Sequence, residues 1–316
     1  MRALFLGTGD IAIPSFQRLI DRDDVEVVGL VTQPDRPVGR KQVLTPPMIK
    51  EVAVAHGIAV MQPEKVRDIV PELAALECDL FVVMAYGQLL PESLIELPKI
   101  ACVNLHGSLL PRHRGASPIQ AAIREGDAES GVTLMHVVKA LDAGDIILKE
   151  PTPIGAQETG GELHDRLADI AATALDRGVT QFQNGSATRE PQQRELVTYL
   201  GKLLRKDGVL DWSEPAERIE RTVRAFDPWP GTTTQLHSGG RSMNLKIFPP
   251  IQVVASPAPA AAPGSVVAAD AGSITIACGG GSALVVTQIQ PDGKRRMDVR
   301  DFVRGHAIGI GDRVGS

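Results

Sequence analysis

The sequence is poor in cysteine, short of positive charge and free of any long apolar run. Of its 316 residues only Cys78, Cys102 and Cys278 are cysteines. They are far apart, odd in number and without the paired spacing of a zinc site. This excludes a disulfide scaffold and points to a reducing, cytosolic setting. Cys102 lies in an apolar stretch just ahead of Asn104 and reads as a buried structural thiol rather than a nucleophile. No apolar run approaches the roughly 20 residues that a bilayer span requires, so no membrane partner is expected. Residues 1–7 carry one basic side chain, a very short apolar stretch and an immediate glycine turn, which predicts a first strand and not a secretory signal. No internal repeat is visible.

The composition that remains, 43% hydrophobic and 22% charged, is that of a soluble globular protein. The length exceeds the size at which one hydrophobic core stops growing and predicts two domains. A net charge of −5 argues against a nucleic-acid binder, yet it hides an asymmetry. Residues 1–200 hold 19 Lys and Arg against 27 Asp and Glu, whereas residues 201–316 hold 14 against 11. A polyanionic partner would meet the C-terminal part and local basic loops.

Near-continuous apolar runs at 3–6, 25–32, 80–85 and 102–105 predict strands covered on both faces. Helical patterns at 13–20, 47–56, 66–76 and 118–124 alternate with them, several opened by proline or an acidic residue. The result is an α/β series and a doubly wound, mostly parallel, Rossmann-like sheet. Residues 131–138 and 146–149 predict two more strands around a tight loop, and 161–182 a long amphipathic helix. From 183 to 206 the periodicity is lost, as in a linker. A second module follows, with a helix over 211–225 opened by Ser213 as N-cap and then short strands typical of a small β-barrel. Residues 255–264, with three prolines among alanines, read as a mobile loop. The predicted division is a catalytic domain over 1–188, a linker over 189–206 and a barrel over 207–316.

The Gly7-Thr8-Gly9 turn after the first strand suggests a dinucleotide fingerprint, but no acidic residue ends the second strand. The glycines are better explained by a tight strand-to-helix turn. The informative segment is NLHGSLLPRHRGASPIQ, residues 104–120. It begins where a buried strand ends, so Asn104 and His106 share one side of the chain at the carboxyl edge of the sheet. Asp142 follows in LDAGD, on a loop that glycine keeps short. An amide, an imidazole and a carboxylate are the parts needed to pass an acyl group between amines. Attack of an amine on a formyl carbonyl creates an oxyanion and a cationic nitrogen, which call for hydrogen-bond donors and a proton acceptor. Each residue also has an ordinary structural role open to it: Asn104 as a turn cap, His106 as a satisfied core histidine, Asp142 as a cap of the turn at Gly144.

The segment 104–120, together with TQPDRPVGR (32–40), VVMAYGQLLP (82–91) and GVTLMHVVKALDAGDI (131–146), resembles the folate-dependent formyltransferase family. The resemblance maps the family's catalytic asparagine, histidine and aspartate onto Asn104, His106 and Asp142. It implies 10-formyltetrahydrofolate as donor, with no metal and no covalent enzyme intermediate. It places the pterin largely against the backbone of Ala85, Tyr86, Gly87, Gln88 and Leu89 and against the loop preceding Asp142, and adds Ser108, Leu109, Leu110 and Pro111 to the residues that bind the donor. LLRKDGVLDWSEPAERIERTVRAFDPWPGT (203–232) resembles the start of the OB-like barrel in the branch that formylates methionyl initiator tRNA. The alternatives within the family are an enzyme acting on an amino sugar nucleotide and a formyltetrahydrofolate hydrolase. In the implied mechanism the methionyl amine attacks the formyl carbon, Asn104 and His106 stabilise the oxyanion, and the His106–Asp142 pair manages the proton. The implied tRNA contacts are Arg36, Arg40 and Lys41 on a long, mobile loop entering the acceptor stem, with Lys206, Lys294, Arg295 and Arg296 on phosphates. Lys41, Gln42 and Val43 stand where the family often has glycine and two lysines, and His113 stands where an aromatic ring is frequent. A cytoplasmic monomer is expected.

Overall fold

The first apolar run becomes β1 (Arg2–Gly7), buried from Ala3 onward, in a computed structural model that describes residues 1–39, 41–306 and 308–315. The chain divides into two compact units. One comprises Met1–Pro118, Glu129–Pro153 and His164–Leu200, the other Ile119–Ala128, Ile154–Leu163 and Gly201–Ser316.

After β1 the strands of the first unit are β2 (Glu26–Val31), the short pair β3 (Arg36–Val38) and β4 (Val43–Thr45), β5 (Val60–Met61), β6 (Leu80–Met84), β7 (Ala101–His106), β8 (Glu129–His136) and β9 (Ile146–Pro153). The main sheet runs β5-β2-β1-β6-β7-β8-β9. Its first four pairings are parallel and the last two antiparallel. Every residue of β6 is buried, as a central strand covered on both faces demands. The order reverses between β1 and β6, the switch point beside which α/β proteins open their ligand crevices. The long helix Gly160–Gln183 keeps its periodicity, and Leu167, Ala171, Ala174 and Leu175 are all buried.

Two local expectations change. The stretch 66–76 is a 3-10 turn, Val66–Ile69, followed by a short helix, Val70–Ala74. Pro71 has no N–H to continue the preceding turn, so the helix restarts with proline in its first turn. In the second unit the helix is Ala216–Ala225 with Pro215 at its N-cap position, not a helix opened by Ser213. The Asp211 carboxylate accepts both the Ser213 N–H (2.9 Å) and its hydroxyl (2.6 Å), a local turn that leaves no Ser213 cap.

The second unit's strands are β10 (Thr232–Ser238), β11 (Arg241–Ala255), β12 (Val266–Ala269), β13 (Ile274–Ala277), β14 (Ser282–Pro291), β15 (Met297–Asp298) and β16 (Arg313–Val314). They run β12-β13-β14-β11-β10-β16 with antiparallel neighbours, and β15 pairs with β14. A bridge between Ser265 and Arg313, with the Val266 N–H donating to the Asp312 carbonyl at 2.8 Å, returns β16 to β12 and closes a barrel. Trp212, Ile219, Leu245, Ile276, Val286 and Phe302 belong to its core. Among the described residues no helix is long and apolar enough to cross a membrane.

Candidate active site

β7 delivers Asn104 and His106 to the carboxyl edge of the sheet. Two residues apart, they lie on one face, roughly 6.6 Å apart along the strand. The chain then turns back on itself. The Ser108 N–H donates to the His106 carbonyl (2.9 Å), and the Ser108 hydroxyl donates to the Arg112 carbonyl (2.7 Å). The Thr133 hydroxyl, on the neighbouring β8, donates to the Ser108 carbonyl at 2.6 Å and accepts the Leu110 N–H at 3.1 Å. This fold-back sets the His113 carbonyl 2.9 Å from His106 Nε2. A carbonyl only accepts, so Nε2 carries the proton and Nδ1 is left to face the site. Only 5% of His106 is exposed.

Asp142 approaches that free nitrogen. Its Oδ1 lies 3.8 Å from His106 Nδ1, beyond hydrogen-bond length but within range of a strong charge interaction. Its Oδ2 accepts the Gly115 N–H at 2.8 Å. The carboxylate therefore reaches across to the loop after β7 and does not cap its own turn. The Asp142 loop is tight because a Cβ on Gly144 would sit 1.8 Å from the His136 carbonyl oxygen. Asp142 itself has φ +49°, a left-handed backbone that aspartate tolerates better than most residues. Among the described residues the Asn104 carboxamide makes no hydrogen bond, and the residue is half-buried. Donors, a basic nitrogen and a carboxylate thus stand on adjoining segments.

The residues expected at the pterin divide into two groups. At the end of β6, Ala85 (φ +47°) and Gly87 (φ +88°) turn the chain so that residues 85, 87 and 89 are exposed while Tyr86 is buried. Burial pushes the Tyr86 hydroxyl pKa up to about 12. The Tyr86 carbonyl accepts the Thr8 hydroxyl (3.0 Å) and the Gln33 amide (3.3 Å), so Thr8 works as a brace of the strand ends. The Gln88 amide oxygen accepts the Val66 N–H (2.8 Å), which occupies that side chain structurally. Leu89 is 81% exposed, and Leu141, next to Asp142, is 52% exposed. Lys139 and Glu92 pair at 3.0 Å and tie the two loops that carry these leucines. Leu89 and Leu141 are thus two exposed apolar side chains on segments that this ion pair bridges. In the second group Ser108, Leu110 and Pro111 are buried and Leu109 half-buried. Leu110 packs with Met135 and Ile146, so this turn can offer a ligand mainly its backbone.

The basic segment after β2 pairs as the hairpin β3–β4, Arg36 against Thr45 and Val38 against Val43, where an open loop was expected. Its β-branched and apolar residues supply strand propensity on both sides of the turn. Arg36 and Lys41 are exposed on it, and Arg40 lies outside the described residues. On the barrel unit Lys206, Lys294, Arg295 and Arg296 are all exposed. Arg296 is engaged: it donates to Gln288 (2.6 Å) and to the Pro249 carbonyl (2.7 Å) and lies 4.4 Å over the Phe248 ring. The His113 carbonyl and the Gly115 N–H were not foreseen, because both act through the backbone.

The formyl transferase family profile matches residues 1–179, and the formyl transferase C-terminal domain profile matches residues 202–307. A methionyl-tRNA formyltransferase of Akkermansia muciniphila is 50% identical over 309 residues, covering 97% of each chain. One of Bacillus subtilis is 43% identical over 316 residues, covering 99% of this chain and 98% of its own. In fold alone, at 17% identity, the chain resembles an N-formyltransferase of Helicobacter canadensis solved with folinic acid and dTDP-3-aminofucose. The TM-score there is 0.64, with 92% of this chain and 98% of the other covered. The chain belongs to the formyl transferase family, among the methionyl-tRNA formyltransferases.

Proposed function

We propose that this chain transfers the formyl group of 10-formyltetrahydrofolate to the α-amino group of methionyl initiator tRNA, giving N-formylmethionyl-tRNA for translation initiation. The observation that carries the acceptor is that the likeness to methionyl-tRNA formyltransferases runs through the barrel unit as well as the sheet unit. The solved relative with folinic acid supports a folate donor, as does the exposed Leu141 next to Asp142 in the chain.

In this reading Asn104, His106 and Asp142 do the chemistry. The methionyl nitrogen bonds to the formyl carbon and the carbonyl electron pair moves onto oxygen, where the Asn104 amide donates a hydrogen bond. With Nε2 held by the His113 carbonyl, His106 takes the amine proton at Nδ1. Asp142, 3.8 Å away, stabilises the imidazolium so formed. The oxyanion collapses, the bond to folate N10 breaks, and His106 returns a proton to that nitrogen. Residues 1–188 act as the catalytic part, 189–206 as a crossing whose first part is bonded to the loops of Arg114 and Asp142, and 207–316 as the tRNA-binding part. Arg36, Lys41, Lys206, Lys294 and Arg295, all exposed, supply phosphate contacts. The protein works as a cytoplasmic monomer, which suits three buried free thiols.

The test is an acceptor assay with formyl-labelled donor and methionyl initiator tRNA, an amino sugar nucleotide, or no acceptor. Label on the tRNA alone is expected. Label on the sugar, or free formate at the same rate without acceptor, would replace this reading by one of the two alternatives.

A further inference from the structure

Residues 188–200 read from the sequence as the start of a linker, yet they are stitched to both catalytic loops. The Thr188 hydroxyl donates to the Ile147 carbonyl (2.9 Å), and Glu190 exchanges two backbone bonds with Ile146, at 2.8 and 3.0 Å. Farther on, the Arg114 N–H donates to the Thr198 carbonyl (2.9 Å), the Leu200 N–H to the Arg114 carbonyl (3.0 Å) and the Ala116 N–H to the Leu200 carbonyl (3.1 Å). The approach is close: a Cβ on Gly115, whose φ is +102°, would lie 2.4 Å from the Leu200 oxygen.

Gln192 sits between these two seams. Its amide nitrogen donates to the carbonyls of Asp142 (2.9 Å) and Gly144 (2.8 Å). Its amide oxygen accepts a fork from Arg114, Nε at 3.0 Å and Nη2 at 2.7 Å. Arg114, 8% exposed, also donates from Nη1 to the Tyr199 hydroxyl at 3.2 Å. A ring results: the Asp142 carboxylate is held by the Gly115 N–H, and the Asp142 carbonyl is held through Gln192 by the side chain of the preceding residue, Arg114. Asp142 occupies the left-handed region at φ +49°, a conformation that persists in a non-glycine residue when its surroundings over-determine it. Nothing in the aperiodic sequence around Gln192 announces this, since the segment is held by polar bonds and not by an apolar face.

We propose that Gln192, oriented by Arg114, is a positioning residue that fixes Asp142 relative to His106 for formyl transfer. The proposal rests on the reading of the His106–Asp142 pair given above. Displacement of a reacting group by about 1 Å can cost roughly a hundredfold in rate without loss of binding. Gln192→Leu keeps the bulk and removes these four bonds together with the weak contact of the amide nitrogen with Met135 Sδ at 3.9 Å. It is expected to lower kcat by about 10- to 100-fold with KM for tRNA and for donor within about twofold of the native values. Gln193→Leu, at the exposed neighbour, should match the native enzyme. Arg114→Lys replaces the planar fork by a single ammonium and should reproduce the kcat-selective loss in a folded protein, which covers the case in which Gln192→Leu folds poorly. The decisive arm is Gln192→Leu combined with Asp142→Asn. If Gln192 acts through Asp142, the double variant falls within about twofold of Asp142→Asn alone, whereas independent effects multiply. An unchanged kcat in Gln192→Leu, or multiplicative losses in the double variant, overturns the proposal. Near-native turnover of Asp142→Asn by itself overturns the catalytic reading instead, so the two failures are told apart.

Discussion

Replacing Asp142 by asparagine removes one negative charge and almost nothing else. Asparagine tolerates the left-handed backbone at φ +49°, and its amide oxygen can still accept the Gly115 N–H. What is lost is the attraction between the carboxylate and the charge that His106 acquires as it takes the amine proton. At the observed 3.8 Å, Coulomb's law with an effective dielectric constant of about 20 gives roughly 4 kcal/mol. The side chains are only 6% and 12% exposed, so solvent screens this little. If that stabilisation is felt in the transition state, kcat falls by about a thousandfold. Because the term appears only as charge develops, KM for the tRNA should hardly move. Steady-state formylation at saturating donor gives both constants, and a thermal melt checks that the variant is folded. A folded Asp142→Asn enzyme with kcat within about tenfold of native would refute the electrostatic argument, since at this distance only a dielectric constant approaching that of bulk water makes the pair so weak, and the two side chains are nearly buried.

Asn104→Ala removes the proposed oxyanion donor, and kcat should drop by about a hundred- to a thousandfold while tRNA affinity in a filter-binding assay stays put; an active variant would take Asn104 out of the site. Burial, aided by the Arg189 charge, lowers the His136 pKa below its usual value of 6.5. The unfolded chain therefore binds that proton more readily, and the stability that His136 supports is complete above about pH 6.5 and shrinks as pH falls toward its folded value. Denaturant midpoints measured from pH 7.5 to 5 should decline, and His136→Gln should flatten part of that slope; an identical slope in the variant would count against the assignment. Burial raises the thiols of Cys78 to about 11 and of Cys102 and Cys278 to about 12. A thiol-reactive dye at pH 8 should label the native protein only slowly and reach all three cysteines after denaturation. Prompt labelling of native Cys102 would contradict its place inside β7.

The features legible in the sequence share one trait: a side chain whose type or period is itself the signal. Continuous apolar runs marked β1, β6 and β7, and the alternation of a strand put Asn104 and His106 on one face. Asp142 stood out because LDAGD is short and glycine-bound, and the structure makes Gly144 obligatory there. The donor was a different matter, since folate entered through likeness to a family and through no residue pattern. What stayed hidden depends on partners distant in the chain. Ser213 looks like an N-cap until Asp211 captures its hydroxyl, and the Arg295–Arg296 pair looks uniform until Phe248 and Gln288 engage one of the two. The supports of the site are hidden for the same reason. The His113 carbonyl and the Gly115 N–H are chemically identical to those of any other residue, so their selection for His106 and Asp142 is made by the fold-back of two loops. Segment 188–200 follows the same logic. Its bonds run to main-chain atoms and through one amide, which imposes no apolar period, so a stretch composed like a linker can serve as a strap on the Asp142 loop.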